Sequence, residues 1–451
     1  MFDPHAVLAR YQKPVPRYTS YPTAPQFKGN VGSDVFARGL SQLDSEQSVS
    51  AYLHIPFCDR LCWFCGCHTK HTLKYAPIAR YMQSLSAEVH LLKKHLSFRP
   101  HLGQLHLGGG SPSLLKRDEL QMLREVLDSA FCIDEKTEIS IEIDPSDVDA
   151  QSIDGLVEFG LTRASVGVQD FHPQVQQAIN RPQSFEVTCD VIAGLRQAGV
   201  RSVNIDALYG LPLQSQSRLL KTIDQCIALK PDRMALFGYA HVPWLKKHQN
   251  MIKLQDLPGT NQRYDDAQAA AESLVDAGFQ PIGIDHFAKP DDTLALAANA
   301  GRLQRNFQGY TTDSHQTLLG FGASSIGRFS DGYVQNTVPT HLYQQQIAHG
   351  ILPKNKGLAL TIEDRLRGHI IERLMCDFEI NFAHQTQFPQ QLVTICLRQA
   401  HDAVANDPFG LCEMDGDRLI IRSHARAFVR IVAAQFDAYY APEQFSYSKA
   451  V

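Results

Sequence analysis

The sequence predicts an α/β protein, built as a partial (β/α)6 barrel or, on periodicity alone, as an open doubly wound sheet. Three observations carry this. Between about residues 50 and 290, short β-rich apolar runs alternate with longer segments whose apolar residues recur at helical spacing. The strand-like runs are nearly continuous in apolar residues, as expected of parallel strands covered by helices. Six strand–helix units follow one another before the pattern changes, which suits an incomplete barrel.

The elements follow in order. Residues 1–48 form an N-terminal arm, rich in Pro and Tyr and without clear periodicity. The barrel region with its extension is expected over 49–345. Its strands are AYLHIP (51–56), QLHLG (104–108), EISIEID (138–144), RASVGV (163–168), VNIDALY (203–209) and DRMALFGY (232–239), with FQPIGIDHF (279–287) a candidate seventh. Residues 346–451 read as a smaller, mostly helical domain. In it TIEDRLRGHIIERLMCDF opens on a Thr N-cap with Glu and Asp in the first turn. GLCEMDGDRLIIRSHARAFVRIVAAQFDAYY reads as a hairpin turning at Asp415-Gly416, followed by a long helix.

Composition narrows the function classes. The 451 residues carry a formal net charge of −4, which excludes a strongly basic footprint for nucleic acid. There is no run of about 18 apolar residues, so no membrane span is expected. The N-terminus lacks the apolar core of a secretory signal. A cytoplasmic protein is expected, and in that compartment clustered thiols indicate metal or redox chemistry rather than disulfides. Cys132, Cys189, Cys226, Cys376, Cys396 and Cys412 are scattered and read as core filler.

The other four cysteines are not scattered. CDRLCWFCGC places Cys58, Cys62, Cys65 and Cys67 within ten residues, directly after the first strand. Structural zinc takes four ligands, usually from two separated pairs. No second CxxC exists here, although His68 or Cys67 is available locally. A 4Fe–4S cluster also takes four ligands. Three protein thiolates would leave one iron open for a substrate or cofactor, as catalytic metal sites require. Further along, Gly108, Gly109 and Gly110 follow the second strand, at the end where parallel α/β folds bind ligands. Glycine lets backbone approach a ligand closely. Glu142, Asp144, Gln169 and Asp206 end the next strands, and Arg181 offers a fork for a carboxylate.

Cys58-x3-Cys62-x2-Cys65 after the first barrel strand resembles the radical S-adenosylmethionine (SAM) enzymes. Together with PRYTSYPTAPQF, LHLGGGSPS, ISIEIDP, SVGVQDFHPQVQQAINR, NIDALYGLP, IDHFAKPDD and RNFQGYTT, the chain resembles the oxygen-independent coproporphyrinogen III oxidases over nearly its whole length. The resemblance implies one 4Fe–4S cluster on Cys58, Cys62 and Cys65, with the open iron chelated by SAM. Cys67 is then a non-ligand thiol. It implies two SAM molecules, the first touching Tyr52, Gly109, Glu142 and Ile326. The second touches Phe64, Gly110, Ser111, Gln169, Arg181, Asp206 and Ala240. Ser111 stands where the family often has Thr, which keeps the hydroxyl.

The implied reaction converts two propionates of coproporphyrinogen III to vinyl groups, giving protoporphyrinogen IX in haem biosynthesis. A 5′-deoxyadenosyl radical takes the hydrogen atom, and an unidentified electron donor and acceptor serve the reaction. A four-carboxylate tetrapyrrole needs cationic anchors and apolar walls. Arg17, Lys289 and Arg305 are the candidate anchors, and Tyr18, Tyr21, Phe307 and Tyr310 the candidate walls. The arm and C-terminal domain are expected to close over the barrel mouth. The family implies a monomer. The alternative is a haem-binding chaperone of the same superfamily, which generally lacks NFQGYTT, PRYTSYPTA and the CGC cysteine. A radical SAM methyltransferase or ring-opening enzyme acting on haem is a second enzyme alternative.

Overall fold

The computed structural model describes residues 2–11 and 15–441. Six parallel strands lie side by side in chain order: β1 (Val49–Ile55), β2 (Leu102–Gly109), β3 (Glu138–Ile143), β4 (Arg163–Gln169), β5 (Ser202–Tyr209) and β6 (Arg233–Gly238). Helices α1 (Ala76–Lys93), α2 (Arg117–Ala130), α3 (Ala150–Phe159), α4 (Phe185–Gln197) and α5 (Gln216–Ala228) fall between them. A doubly wound sheet reverses its strand order at a switch point. These six do not, as in the wall of a partial (β/α)6 barrel.

The strands are less uniformly apolar than the sequence reading held. In β3 and β4 buried residues alternate with half-buried ones. Ile139, Ile141 and Ile143 join the core shared with the helices. The intervening residues are polar and pair across strands. His106 Nδ1 lies 2.6 Å from Ser140 Oγ, Ser165 Oγ donates to Asp206 at 3.0 Å, and Asn204 Nδ2 donates to Asp206 at 2.8 Å. Buried polar groups cost free energy unless paired, and these are paired.

The sheet continues at both edges to thirteen strands. Leu318–Phe321 runs parallel to β1, and beyond it lie antiparallel strands that include Ile326–Phe329. At the other edge the expected seventh strand is corrected. Residues 279–287 do not form one strand, because Gln280–Ile282 and His286–Ala288 make an antiparallel hairpin. The chain turns at Gly283, whose φ is +58° and where a Cβ would lie 1.9 Å from the Tyr310 ring.

The C-terminal region holds α6 (Ile362–Asp377), a second helix Gln390–Ala405 and the expected hairpin, Cys412–Asp415 with Arg418–Ile421. The long helix expected after it is corrected to a short helix, Val429–Ala433, between two 3-10 turns. Residues 428–434 are buried on every side, so tertiary packing and not an amphipathic stripe sets the backbone. Val7, Leu8, Val15, Tyr18 and Tyr21 of the arm lie in the same core as α6. Arg17 Nη2 then donates to Gly238 O at 2.8 Å, across the C-terminal end of β6.

The α6 cap is a capping box. Asp364 N donates to Thr361 Oγ1 at 3.0 Å, and Thr361 N donates to Asp364 Oδ2 at 2.9 Å. Thr361→Ala should lower stability by about 1 kcal/mol in chemical denaturation. Thr361→Ser, which keeps the hydroxyl, should recover most of it. Among the described residues no helix is long and apolar enough to cross a membrane.

Candidate active site

The cysteine loop leaves the end of β1 and is closed by a short parallel pair, Phe57–Cys58 with Lys70–His71. Two distant segments hold it. On one side Trp63 N donates to Ile179 O at 2.9 Å, Asn180 Nδ2 to Leu61 O at 2.9 Å and Arg60 Nη1 to Pro182 O at 3.0 Å. On the other, His248 Nε2 donates to Cys65 O at 2.8 Å and Lys246 Nζ to Cys67 O at 2.7 Å. Gln249, fully buried, donates to both Phe64 O (3.0 Å) and Ala240 O (3.2 Å). The sequence reading missed Asn180, Lys246, His248 and Gln249. Their partners lie 119 to 185 residues away, so no local spacing marks them.

A cavity of about 210 Å³ opens here. Cys58, Cys62, Cys65 and Cys67 line it, with Phe64, Gly109, Gly110, Ser111, Glu142, Asp144, Gln169, Arg181 and Asp206. Residues from the C-terminal ends of β2, β3, β4 and β5 thus meet the thiols. Burial raises the Cys58 and Cys62 thiols, with Arg181 opposing it at Cys62. Cys65 is drawn down to about 6, first by hydrogen bonding from the Cys67 side chain and against its burial. The chain places no three metal-ligating groups around one point among the described residues.

The glycines have a structural reason the sequence did not give. A Cβ on Gly110 would lie 2.5 Å from Phe57 O, so the end of β2 touches the cysteine loop itself. Gly110 N donates to Ile55 O at 2.8 Å and Ser111 N to Phe57 O at 2.7 Å. Gly109, at φ +113°, donates its N–H to Glu142 Oε2 at 2.8 Å. Against the effect of enclosure, hydrogen bonding from His106 and from Gly109 holds Glu142 below its ordinary range. Gln169 sits in a left-handed conformation, φ +70°, at a bulge against β5.

Arg181 is buried and ties three parts together. Nη1 lies 2.9 Å from Asp144 Oδ2 and 3.5 Å from Cys62 Sγ, and Nη2 donates to Gly167 O at 2.7 Å. Its buried Nε has no hydrogen-bond partner among the described residues, as a residue awaiting an anionic or polar ligand would. Beside it Ser111 Oγ donates to Asp147, whose carboxyl burial and Asp144 push up to about 7.

Three of the expected cofactor residues lie off this cavity. Tyr52 stacks on His106 at 5.8 Å and donates to His54 Nδ1 at 2.9 Å, behind Glu142. Ala240 lines the neighbouring cavity, of about 470 Å³. Ile326 lines a narrow cleft with Arg305 and Phe307. The substrate candidates also separate. Arg17 lines the 470 Å³ cavity, whereas Arg305, Tyr18 and Tyr21 line an open cleft of about 760 Å³ on the other side of the arm. Tyr310 is buried, donating to Met375 O at 2.8 Å. Lys289 is brought to none of these cavities: its ammonium packs over the Phe279 ring at 4.1 Å.

Comparison with known proteins agrees with this architecture. The radical SAM superfamily profile matches residues 52–226. The chain is 45% identical over 444 residues to an oxygen-independent coproporphyrinogen III oxidase of Cereibacter sphaeroides, covering 98% of each chain. It is 38% identical over 439 residues to that of Pseudomonas aeruginosa, covering 96% of this chain and 95% of the relative. The solved coproporphyrinogen III oxidase (HemN) of Escherichia coli, described as a radical SAM enzyme, superposes with a TM-score of 0.89 at 35% identity, over 97% of this chain and 100% of that one. At 45% identity over 98% of both chains, the chain belongs to the oxygen-independent coproporphyrinogen III oxidase family of radical SAM proteins.

Proposed function

We propose that the chain oxidatively decarboxylates two propionates of coproporphyrinogen III to vinyl groups, giving protoporphyrinogen IX. The observation that carries this is the convergence of three thiols, Glu142, Gln169, Arg181 and Asp206 on one cavity. Cys58, Cys62 and Cys65 would hold a 4Fe–4S cluster. When bound, the cluster and SAM together supply the electron and the radical that removes a hydrogen atom from an unactivated carbon, which no side-chain base can deprotonate. The protein's part is placement and exclusion of water. Glu142, held ionised, suits an ammonium or ribose hydroxyl. Arg181 presents its unpartnered Nε to a carboxylate. Phe64, Gly110, Ser111, Gln169, Asp206 and Ala240 suit a second SAM. Tyr52, Gly109 and Ile326, with Glu142, complete the set for the first. The same reading makes the chain a cytoplasmic monomer served by an external electron donor and acceptor.

The test is anaerobic turnover. The cluster-loaded chain is given SAM, a strong reductant and coproporphyrinogen III, and products are followed after oxidation to porphyrins. Protoporphyrin with 5′-deoxyadenosine is expected. Tight stoichiometric haem binding without turnover would instead favour the chaperone alternative, and methylated or opened tetrapyrroles the other enzymes.

A further inference from the structure

The 470 Å³ cavity adjoins the cysteine loop, because Gln249 joins Phe64 O of that loop to Ala240 O of the cavity wall. Its charged lining is Arg17, Arg263, Arg430 and Asp285, with His241 beside them. We propose that Arg263, Arg430 and Arg17 anchor the carboxylates of the tetrapyrrole that are retained in the product, while Trp244 and Leu254 cover its apolar face. This rests on the function proposed above and adds to it the residues that recognise the substrate.

Three parts of the chain converge to build this floor. Arg17 comes from the arm, Arg263 from the helix Thr260–Asp276 and Arg430 from the C-terminal segment. Arg263 Nη2 donates to Tyr239 O at 2.8 Å, while its buried Nε has no hydrogen-bond partner among the described residues. Gly210 lies against it, where a Cβ would come within 2.9 Å of that Nε. Arg17, Arg263, Arg430 and Asp285 are the charged groups that line the cavity. Asp285 is already engaged, 2.7 Å from His286 Nδ1; against its burial, His286, Arg305 and Arg17 hold it at about 2. Burial, and then the charge of Arg17, draws Arg430 down to about 10, the response of a cation enclosed with other cations.

The rim is of the opposite character. Trp244 is 58% exposed and Leu254 71%, both at the cavity mouth. An exposed apolar lip over a cationic floor fits an amphipathic polycarboxylate, and the volume falls in the range of ligand sites. The chemistry also says which carboxylates belong here. Loss of carbon dioxide moves an electron pair from carboxylate oxygen toward carbon, and a guanidinium fork holds that charge on oxygen. The clamped groups are therefore the ones that stay.

Coproporphyrin III, the oxidised and unreactive tetracarboxylate, tests this by fluorescence titration into the full cluster-loaded chain with SAM, beside its uncharged tetramethyl ester. Arg263→Gln should weaken the tetracarboxylate about tenfold or more and leave the ester unchanged, with KM rising while kcat is retained. Arg263→Lys should recover part of the loss. Arg17→Gln, at an exposed position, gives the same reading if the buried variant does not fold. Unchanged tetracarboxylate binding, or equal loss for acid and ester, would overturn the proposal. Wild-type turnover is measured separately, so a wrong substrate and a wrong anchoring site give different results.

Discussion

Cys62→Ala should leave a folded chain with no iron–sulfur absorption, no bound sulfide and SAM cleavage at background, whereas Cys67→Ser should keep all three within about tenfold of the parent. The two thiols share a cavity, and the proposed function gives them different roles. Cys62 is buried, with Sγ 3.5 Å from the Arg181 guanidinium, whose positive charge favours the thiolate that a metal needs. Cys67 is exposed and faces Cys65: its backbone N–H donates to Cys65 Sγ at 3.4 Å, and its thiol hydrogen-bonds the same sulfur. A serine keeps the backbone donor and a hydroxyl in place of the thiol. A fourth protein ligand would also close the iron position that SAM requires. Iron and sulfide content, the visible spectrum and 5′-deoxyadenosine release check both variants. Loss of the cluster in Cys67→Ser would make it a ligand and remove the open-iron reading.

The strands, the cysteine loop and the line of strand-end residues were legible because each depends on local spacing, whereas the order of the strands in the sheet was not. Hydrophobic period marks β1 to β6, and three thiols within eight residues need no fold to be noticed. The hairpin at 280–288 was not legible, because FQPIGIDHF is as apolar as a strand and only the Tyr310 ring against Gly283 shows why it turns. The polar barrel interior was present in the sequence but underweighted. In EISIEID every second residue is polar, which signals a strand facing a cavity on one side. Gln249, Arg263 and Arg430 lay beyond sequence reasoning altogether. Each is one polar residue among many until the fold sets it beside partners from other segments. Lys289 shows the converse: the motif makes its charge a candidate anchor, and only the fold shows that the ammonium packs on the Phe279 ring.

Arg181→Gln should cost about 3–5 kcal/mol in the cluster-free chain and, separately, remove most SAM binding to the loaded one. The ion pair with Asp144 is enclosed, the two side chains being 9% and 15% exposed. Without the guanidinium, Asp144 and Asp147 are left beside each other and lose the positive charge that offsets them. The pH dependence identifies the cause. Folded Asp147 keeps its proton up to about pH 7, because burial and Asp144 raise it, while the unfolded carboxyl releases it near 4. The unfolded state therefore holds fewer protons between those values, and stability falls as pH rises through that window. Arg181 draws Asp147 down, so its removal steepens the fall. The deficit of the variant should be larger at pH 8 than at pH 5. Arg181→Lys should restore part of the stability but little SAM affinity. One ammonium cannot serve Asp144, Gly167 O and a ligand in the fixed geometry of the fork. Thermal unfolding from pH 5 to 8 and equilibrium dialysis with SAM read the two effects independently. A deficit that does not change with pH would mean that packing, and not the charge of Arg181, is what holds this corner of the site.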